Sequence, residues 1–326
     1  IFDLECLTLD KLLFILTGIV IKSTGSWYSI RDQKGEVHEA RIKGKFRVQG
    51  IKNTNPVAVG DTVDFEVKGN ENTVITKVHK RKNYIIRKSV NLSKKTHIIA
   101  SNIDIAFLII TLKQPQTSTG FIDRFLITAE AYSIPVVLLF NKMDILSKEE
   151  HIKNRELINL YQSIGYECQE ISALNKTNIE WVQKQMKNQI SMLSGHSGSG
   201  KSTLINTLAP KLNLKTKKIS HSHNKGQHTT TFAEMFEWPF GGYIIDTPGI
   251  KGLGLVDMKK EEIGDYFPEI LKIKNKCKFN NCLHIEEPQC SIKLAVKEGK
   301  IARSRFASYI SFIEEDAEEN YRQDYW

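Results

Sequence analysis

The N-terminal segment lacks the pattern of a signal peptide or a membrane-spanning helix. Residues 1–16 are rich in Leu, but Asp3, Glu5 and Asp10 interrupt them, and they contain neither a basic leader nor a small-residue cleavage site. Such a segment is too polar to span a bilayer or to direct secretion. We therefore expect a cytoplasmic protein that does not bind membranes, and we assign residues 1–16 to an extension of unknown role.

The chain also has no excess of acidic residues. It contains 46 Lys and Arg residues and 37 Asp and Glu residues, which give a net charge of +9. The composition excludes a largely disordered chain and provides apolar residues for three compact units. One basic cluster interleaves with Tyr84 and comprises Lys77, Lys80, Arg81, Lys82, Arg87 and Lys88. Such a cluster favours contact with RNA phosphates, and a solvated connector is the alternative interpretation.

Two nucleotide-binding motifs occur in an inverted order. The sequence Asn-Lys-Met-Asp at 141–144 precedes the sequence Gly-His-Ser-Gly-Ser-Gly-Lys-Ser at 195–202, whereas conventional GTPases place the phosphate loop first. Both motifs are complete. The sequence therefore predicts a circularly permuted α/β P-loop GTPase domain.

The second motif fits the P-loop pattern Gly-x4-Gly-Lys-Ser. Its backbone N–H groups cradle phosphate oxygens, while Lys201 reaches the β and γ phosphates and Ser202 ligates Mg²⁺. A short apolar strand before the loop and a helix after it complete the motif. The predicted phosphate-binding residues are Gly195, His196, Ser197, Gly198, Ser199, Gly200, Lys201, Ser202 and Thr203.

The first motif predicts recognition of guanine. Asn141, Lys142 and Asp144 follow the apolar segment 135–140, at the end of a strand where ligands of open α/β sheets bind. The Asp144 carboxylate can accept hydrogen bonds from guanine N1 and the exocyclic amine, which adenine cannot offer. Ser172 and Ala173 follow another strand-like segment and are expected to add a backbone N–H group for guanine O6.

A third motif, Asp246-Thr-Pro-Gly249, follows a short apolar strand. Its Asp246 suits a water-mediated contact with Mg²⁺, and the Gly249 N–H group suits a contact with the γ phosphate. The polar segment before it carries Thr229 and Thr230. One of these two hydroxyls is expected to ligate Mg²⁺ together with Ser202, and the sequence does not choose between them.

Three of the five cysteines cluster with one histidine near the C-terminus, as Cys277, Cys282, His284 and Cys290. Three thiols and an imidazole within fourteen residues suit one closed, tetrahedral, structural Zn²⁺ site. A disulfide or a set of inert buried thiols is the alternative, and nucleotide-binding motifs typical of cytosolic proteins argue against a disulfide.

The region before the GTPase motifs has short β-rich runs broken by Gly and Asn. The predicted strands are 18–21, 27–30, 45–48, 62–67 and 74–78, and five short strands at this spacing predict a small barrel of the OB type. We therefore predict an OB-fold RNA-binding domain at 17–92, a permuted GTPase domain at 93–257 and a mostly helical zinc-binding module at 258–326.

With these features the chain resembles the circularly permuted GTPases called RsgA or YjeQ, which depend on the small ribosomal subunit. The resemblance extends from about Gly18 over nearly the whole chain, and it includes the barrel, the Gly-x-His-Thr-Thr segment at 226–230, Tyr266-Phe-Pro-Glu269 and the cysteine cluster with Glu287-Pro288. It implies a monomeric GTPase that binds small-subunit rRNA late in subunit maturation, is stimulated by the subunit and leaves after hydrolysis.

The resemblance also names a candidate catalytic residue. Ras-like proteins position the attacking water with a Gln after Asp-x-x-Gly, but Ile250 occupies that place here and cannot hydrogen-bond water. The resemblance assigns this role to His228, with slow hydrolysis in the absence of the ribosome; the alternative is that His228 is a plain loop residue.

Three other functions remain compatible with these motifs. The first is an RNA-binding assembly protein whose nucleotide site is a switch without useful turnover. The second is a permuted GTPase of the large subunit or of another pathway, which the barrel and the zinc module disfavour. The third is a P-loop ATPase, which Asp144 disfavours.

Overall fold

The computed structural model describes residues 15–42, 56–68, 72–88, 96–210, 233–246 and 258–323. The chain packs as two units, one of residues 1–102 with 232–235 and one of residues 103–231 with 236–326. The domain boundaries predicted at residues 92 and 257 stay predictions.

The first unit is a five-stranded barrel. Its strands are β1 (Ile15–Ser23), β2 (Tyr28–Asp32), β3 (Val37–Ile42), β4 (Thr62–Lys68) and β5 (Asn72–Val78). They pair in the order β1-β2-β3-β5-β4, and an antiparallel β1–β4 pairing closes the sheet. Alternate residues such as Val20, Phe65 and Ile75 point into a shared apolar core. The predicted OB-type barrel is confirmed.

The barrel contains one strand that the sequence analysis did not predict. This strand is β3, which pairs antiparallel with β2 and parallel with β5. The predicted strand at 45–48 lies outside the described residues. Within β3 only Ala40 is fully buried, while the neighbouring side chains are polar or exposed. Because one small buried residue gives almost no alternating hydrophobic signal, sequence reasoning missed this strand.

A hairpin of β6 (Tyr84–Lys88) and β7 (Thr96–Ser101) completes the first unit. The buried Asp61 carboxylate accepts hydrogen bonds from Arg81 Nε and Nη2, both at 2.6 Å, and from Ser101 Oγ at 2.6 Å. Arg81, which belongs to the predicted RNA-binding cluster, is therefore held inside the unit by this ion pair.

The second unit contains a parallel sheet with the strand order β10-β9-β8-β11-β13. These strands are β8 (Ile105–Ile110), β9 (Val136–Phe140), β10 (Glu167–Glu170), β11 (Ile190–Gly195) and β13 (Tyr243–Asp246), and β12 (Glu234–Glu237) precedes the last of them. Strand β8 is an almost continuous buried apolar run, as expected for a strand covered on both faces.

Helices flank this sheet and follow its strands. They are α1 (Thr119–Ala131), α2 (Lys148–Ile164), α3 (Ile179–Met186) and α4 (Lys201–Leu208). Ser118 caps α1, and a capping box of Ser147 and Glu150 begins α2. Val182 of α3 and Leu204 of α4 pack with Phe107 and Leu139 in one hydrophobic core.

The C-terminal part of the second unit is helical, as predicted. Its helices are α5 (Lys260–Ile263), α6 (Pro268–Lys274), α7 (Ser291–Lys297) and α8 (Arg303–Gln323), with a 3-10 turn at Gly264–Tyr266. Phe267, Ile292 and Phe312 form a second apolar core that also takes in Ile127 of α1. Among the described residues, no helix has both the length and the apolar character needed to cross a membrane.

Candidate functional site

The predicted motifs meet at one edge of the parallel sheet. Strand β9 ends directly before Asn141, β10 ends before Ser172, and β11 runs into Gly195. The chain adds β9 and β10 on one side of β8 and later adds β11 and β13 on the other side. Ligands of open α/β sheets bind where the strand order reverses, here between β8 and β11. The order of the motifs along the chain therefore does not prevent them from forming one site.

The phosphate loop has the backbone geometry that its glycines allow. Gly195, Gly198 and Gly200 adopt φ values of 144°, 83° and 103°, which disfavour other residues. A Cβ atom at Gly200 would lie 2.2 Å from Asn141 Nδ2, so only glycine permits this approach. Helix α4 then begins at Lys201, which directs the backbone N–H groups of its first turn towards the loop.

The ammonium group of Lys201 is turned onto the loop itself. It donates to the carbonyl oxygens of Gly195 at 2.5 Å and His196 at 2.6 Å. Burial lowers the pKa of Lys201 to about 8. Among the described residues, no carboxylate forms an ion pair with this lysine.

Asn141 joins three loops of the site. Its Nδ2 atom donates to Ser199 O of the phosphate loop at 2.8 Å, and its Oδ1 atom accepts from Ala173 N at 3.0 Å. The side chain is buried, with 3% of the residue exposed. The predicted base-reading residue thus has both ends of its amide engaged within the protein, a structural role that the motif alone did not indicate.

The predicted guanine-reading carboxylate lies beside the 172–173 segment. Asp144 Oδ1 accepts from Ser172 Oγ at 2.5 Å. Lys142 adopts a left-handed conformation with φ 66° and its Nζ atom donates to Gln114 O. The N–H group of Ser172 donates to Thr177 O, and that of Ala173 donates to Asn141, so a bound base would share these donors.

Sequence reasoning missed the loop between β8 and α1, which borders both motifs. Besides the contact of Gln114 with Lys142, Lys113 Nζ donates to Glu150 Oε2 at 2.6 Å, and Pro115 Cδ lies 3.5 Å from the position of a Cβ atom on Gly198. The sequence offered one indication of this loop. The loop follows β8, the strand beside which the strand order of the sheet reverses and where ligands of such sheets bind.

Phe121 in the first turn of α1 packs on the phosphate loop. Its ring centroid lies 4.0 Å from that of His196, with an angle of 30° between the ring planes. Burial, assisted by the charge of Lys201, lowers the pKa of His196 and so favours the neutral imidazole. The contact connects a helix of the sheet surface with the predicted phosphate-binding backbone.

Several predicted residues lie outside the described part of the chain. They are His228, Thr229, Thr230 and Gly249, together with Ile250. Asp246 is the last residue of β13, which pairs parallel with β11, so its backbone is at the same edge of the sheet as Gly195.

The cysteine cluster forms a compact group in the C-terminal module. His284 Nδ1 lies 3.6 Å from Cys277 Sγ and 3.4 Å from Cys290 Sγ, and all four ligand atoms, including that of Cys282, lie within 4.8 Å of one another. A tetrahedral Zn²⁺ ion would separate such ligand atoms by about 3.5–3.8 Å. All described cysteines are free thiols, so none of them forms the alternative disulfide. The residues fit a metal ion.

One carboxylate holds the backbone on both sides of the histidine of this cluster. The Glu287 carboxylate accepts from the N–H groups of Leu283 at 2.7 Å and Ile285 at 2.9 Å, on either side of His284. Burial lowers the pKa of His284, which favours the neutral imidazole that binds metals. The cluster can therefore bind a metal ion with little rearrangement.

Comparisons with known proteins agree with this architecture. The family model described as RsgA GTPase matches residues 78–256, and the RsgA N-terminal domain model matches residues 17–75. The small ribosomal subunit biogenesis GTPase RsgA of Christiangramia forsetii is 61% identical over 95% of this chain and 99% of its own length. The protein of the same name from Bacteroides fragilis strain YCH46 is 52% identical over 95% of this chain and 100% of its own length.

Two solved structures share the fold. YjeQ from Thermotoga maritima superposes with a TM-score of 0.77 at 33% identity, covering 93% of this chain and 98% of its own. YloQ, described as a circularly permuted GTPase, superposes with a TM-score of 0.74 at 27% identity, covering 94% and 96%. The predicted fold class and permutation are confirmed, and the chain belongs to the RsgA GTPase family and is a GTP hydrolase.

Proposed function

We propose that this GTPase acts in maturation of the small ribosomal subunit: it binds the rRNA of the subunit, hydrolyses GTP there and is released after hydrolysis. The observation that carries the GTP-dependent part of this proposal is the set of hydrogen bonds of Asn141, which join the guanine motif to the phosphate loop and to Ala173. The shared name of the relatives, at up to 61% identity, supports the small subunit as the partner. We further propose a cytoplasmic monomer.

The nucleotide site has a defined division of roles. Asp144 reads the guanine edge with Ser172 and Ala173 beside it, and the loop residues Gly195 to Thr203 hold the phosphates. Lys201 would exchange the carbonyl oxygens of Gly195 and His196 for phosphate oxygens, which compensate its charge better. Asp246 would contact Mg²⁺ through water, and the Gly249 N–H group would contact the γ phosphate. Ser202 with Thr229 or Thr230 would hold Mg²⁺, which would neutralise charge at the phosphates.

His228 is the proposed water-positioning residue, because Ile250 cannot take that role. We expect His228→Ala to lower subunit-stimulated GTP hydrolysis by about 100-fold or more with GTP affinity unchanged, as for loss of a general acid–base group. His223→Ala, in the same segment, is the matched control and is expected to retain full turnover. Full stimulated turnover in His228→Ala would remove His228 from the mechanism.

The metal of the C-terminal module is proposed to be one structural Zn²⁺, bound by Cys277, Cys282, His284 and Cys290. A closed set of four protein ligands leaves no open position for a substrate, which is typical of structural sites. Elemental analysis should find one zinc per chain, and Cys290→Ser should lose it while Cys168→Ser, outside the cluster, keeps it. Another metal at full occupancy would contradict the assignment.

Binding to rRNA is proposed for the exposed basic residues of the first unit. Lys77, Lys80 and Lys82 are exposed, and Tyr84 exposes 43% of its surface, so they are available for phosphate contact and stacking. Arg81 is excluded from this surface by its ion pair with Asp61. Replacing the three lysines by Ala should weaken subunit binding and reduce its salt dependence, whereas Lys148→Ala on α2 should not.

Hydrolysis of GTP with purified small subunits tests the whole proposal. We expect strong stimulation by small subunits, none by large subunits, and no comparable turnover of ATP. Equal stimulation by large subunits would redirect the proposal to another particle, and slow turnover indifferent to ribosomes would leave a GTPase without this partner.

A further inference from the structure

Helix α8 connects two parts of the second unit through residues one turn apart. Arg305 and Tyr309 occupy positions i and i+4, which lie on the same side of a helix. Arg305 exposes only 1% of its surface and Tyr309 also only 1%. Each of these buried polar side chains bonds to a different element.

Arg305 bonds to α1. Its Nη1 atom donates to Asp123 Oδ1 at 2.8 Å, while Nε and Nη2 donate to the Glu269 carboxylate at 2.7 and 3.2 Å. Asp123 is fully buried and also accepts from Tyr161 OH of α2 at 2.8 Å. Because a buried ion pair of this kind tolerates little change in geometry, α8 fixes the position of α1.

Tyr309 bonds to the cysteine cluster. Its hydroxyl donates to Leu283 O at 2.9 Å, and its ring centroid lies 5.9 Å from that of His284. Leu283 N is held in turn by Glu287. The backbone that carries one metal-ligand candidate is thus bonded directly to α8.

The other end of this series of contacts is the phosphate loop. Phe121, two residues before Asp123 on α1, packs against His196 with ring centroids 4.0 Å apart. The contacts therefore run from His284 to Tyr309, along helix α8 to Arg305, across to Asp123, and along helix α1 to Phe121 and His196.

We propose that Arg305 is a positioning residue that couples the metal site to the phosphate loop through α1, so that metal binding and guanine-nucleotide binding each strengthen the other. The proposal rests on the proposed nucleotide and metal sites and adds a linkage between them. A displacement of the cysteine cluster moves α8, and α1 must follow because Asp123 cannot remain buried without its cation. The packing of Phe121 against His196 then changes, and with it the position of the phosphate loop.

Linkage makes the effect reciprocal, so it can be measured from either side. In the full-length, metal-loaded protein, saturating GDP should raise the affinity for the metal, measured by equilibrium competition with a chromogenic chelator, by about fivefold or more, the low end of allosteric couplings. Removal of the metal should weaken the binding of fluorescently labelled GDP by a comparable factor. Both readouts are independent of catalytic turnover.

Variants of α8 and α1 isolate the connection. Arg305→Lys keeps the charge but loses the fork that reaches Asp123 and Glu269 together, and it should reduce the coupling factor towards one while both ligands still bind. Arg303→Lys, the same change at an exposed position of α8, is the matched control and should keep the full coupling. Tyr309→Phe deletes only the hydroxyl that bonds Leu283, and it should also reduce the coupling, which covers the case in which Arg305→Lys does not fold.

The outcomes separate this linkage from the function on which it rests. A metal affinity of the wild-type protein that GDP does not change, although GDP binds, would overturn the linkage and leave the proposed function intact. Full coupling in Arg305→Lys and Tyr309→Phe would overturn the route through α8. Absence of GDP binding to the metal-loaded wild-type protein would overturn the proposed nucleotide site itself.

Discussion

Two cations of the second unit, the buried Arg305 and the half-buried Lys201, have opposite surroundings. Arg305 lies between the carboxylates of Asp123 and Glu269, whereas the described partners of Lys201 are two backbone carbonyl oxygens. A buried charge is stable only when it is paired, and an uncompensated one shifts its pKa. The charge of Arg305 is therefore compensated within the protein and has a structural role, while Lys201 has the properties of a group that binds an anion.

The same contrast separates residue types that look alike in the sequence. Arg81 of the first unit is a further paired cation, held by Asp61 through two bonds of 2.6 Å. Basic residues near a nucleotide or RNA site are thus of two kinds, and only the structure distinguishes them. The charge of a residue alone is a weak indication of its function. Whether an opposite charge compensates it within the protein is a stronger indication.

The largest expected effect is the loss of stability when an arginine is removed from its ion pair. Arg305→Met leaves two buried carboxylates without their cation, and we expect it to lower the free energy of unfolding by about 3–5 kcal/mol. Arg81→Met should cost a similar amount because it leaves Asp61 unpaired. Chemical denaturation measures both variants.

The two arginine variants should differ in nucleotide binding. Arg305→Met is expected to weaken GDP binding, because α1 contacts the phosphate loop, and Arg81→Met is expected to leave it unchanged under conditions in which the protein is folded. Equal GDP affinities in the two variants would contradict the distinction.

The lack of a carboxylate partner for Lys201 among the described residues predicts that GDP affinity depends on pH. Burial holds the pKa of Lys201 at about 8, below its ordinary value, so the free protein loses this charge as the pH rises through 8. A bound phosphate keeps the lysine charged, and GDP affinity should therefore fall above pH 8 by up to about tenfold per pH unit. Calorimetric titration with GDP between pH 7 and 9 measures this change in affinity.

Lys201→Arg provides the control for this pH effect, since arginine stays charged throughout and ionisation of the guanine base is common to both proteins. The excess loss of affinity in the wild type over the variant is the quantity of interest. Identical pH profiles would show that Lys201 is charged in the free site.

The smallest expected effect concerns Ser199 of the phosphate loop. It is fully buried, and its Oγ atom has no hydrogen-bond partner among the described residues. Ser199→Ala should therefore be neutral or stabilise the protein by about 1 kcal/mol, whereas Ser101→Ala, which removes a 2.6 Å bond to Asp61, should cost about 1 kcal/mol. Thermal unfolding of the two variants compares them, and a loss of stability in Ser199→Ala would reveal a missed partner.

The motifs at strand ends could be predicted from the sequence because each follows an apolar run, and parallel strands bring such ends to one edge. The three segments meet there despite their separation along the chain, because Asn141 bonds to Ser199 and to Ala173. Local patterns of this kind need no knowledge of distant partners.

What could not be predicted depends on contacts between distant residues. Arg305 and Asp123 are 182 positions apart and carry no local pattern that pairs them. Strand β3 was missed because its one buried residue is Ala40, and the β8–α1 loop was missed because its contacts to Lys142 and Glu150 follow from topology rather than composition.

The central claim is that the inverted motifs form one guanine-nucleotide site, and exchange of a single atom at Asp144 tests it most directly. Asp144→Asn replaces an acceptor by a donor, so it should lose affinity for GDP and gain affinity for xanthosine diphosphate, whose 2-oxo group accepts a hydrogen bond where guanine donates one. We would measure both affinities in wild type and variant, with ADP as control. A switch of preference from GDP to xanthosine diphosphate is the predicted result, and unchanged GDP preference in the variant would contradict the account.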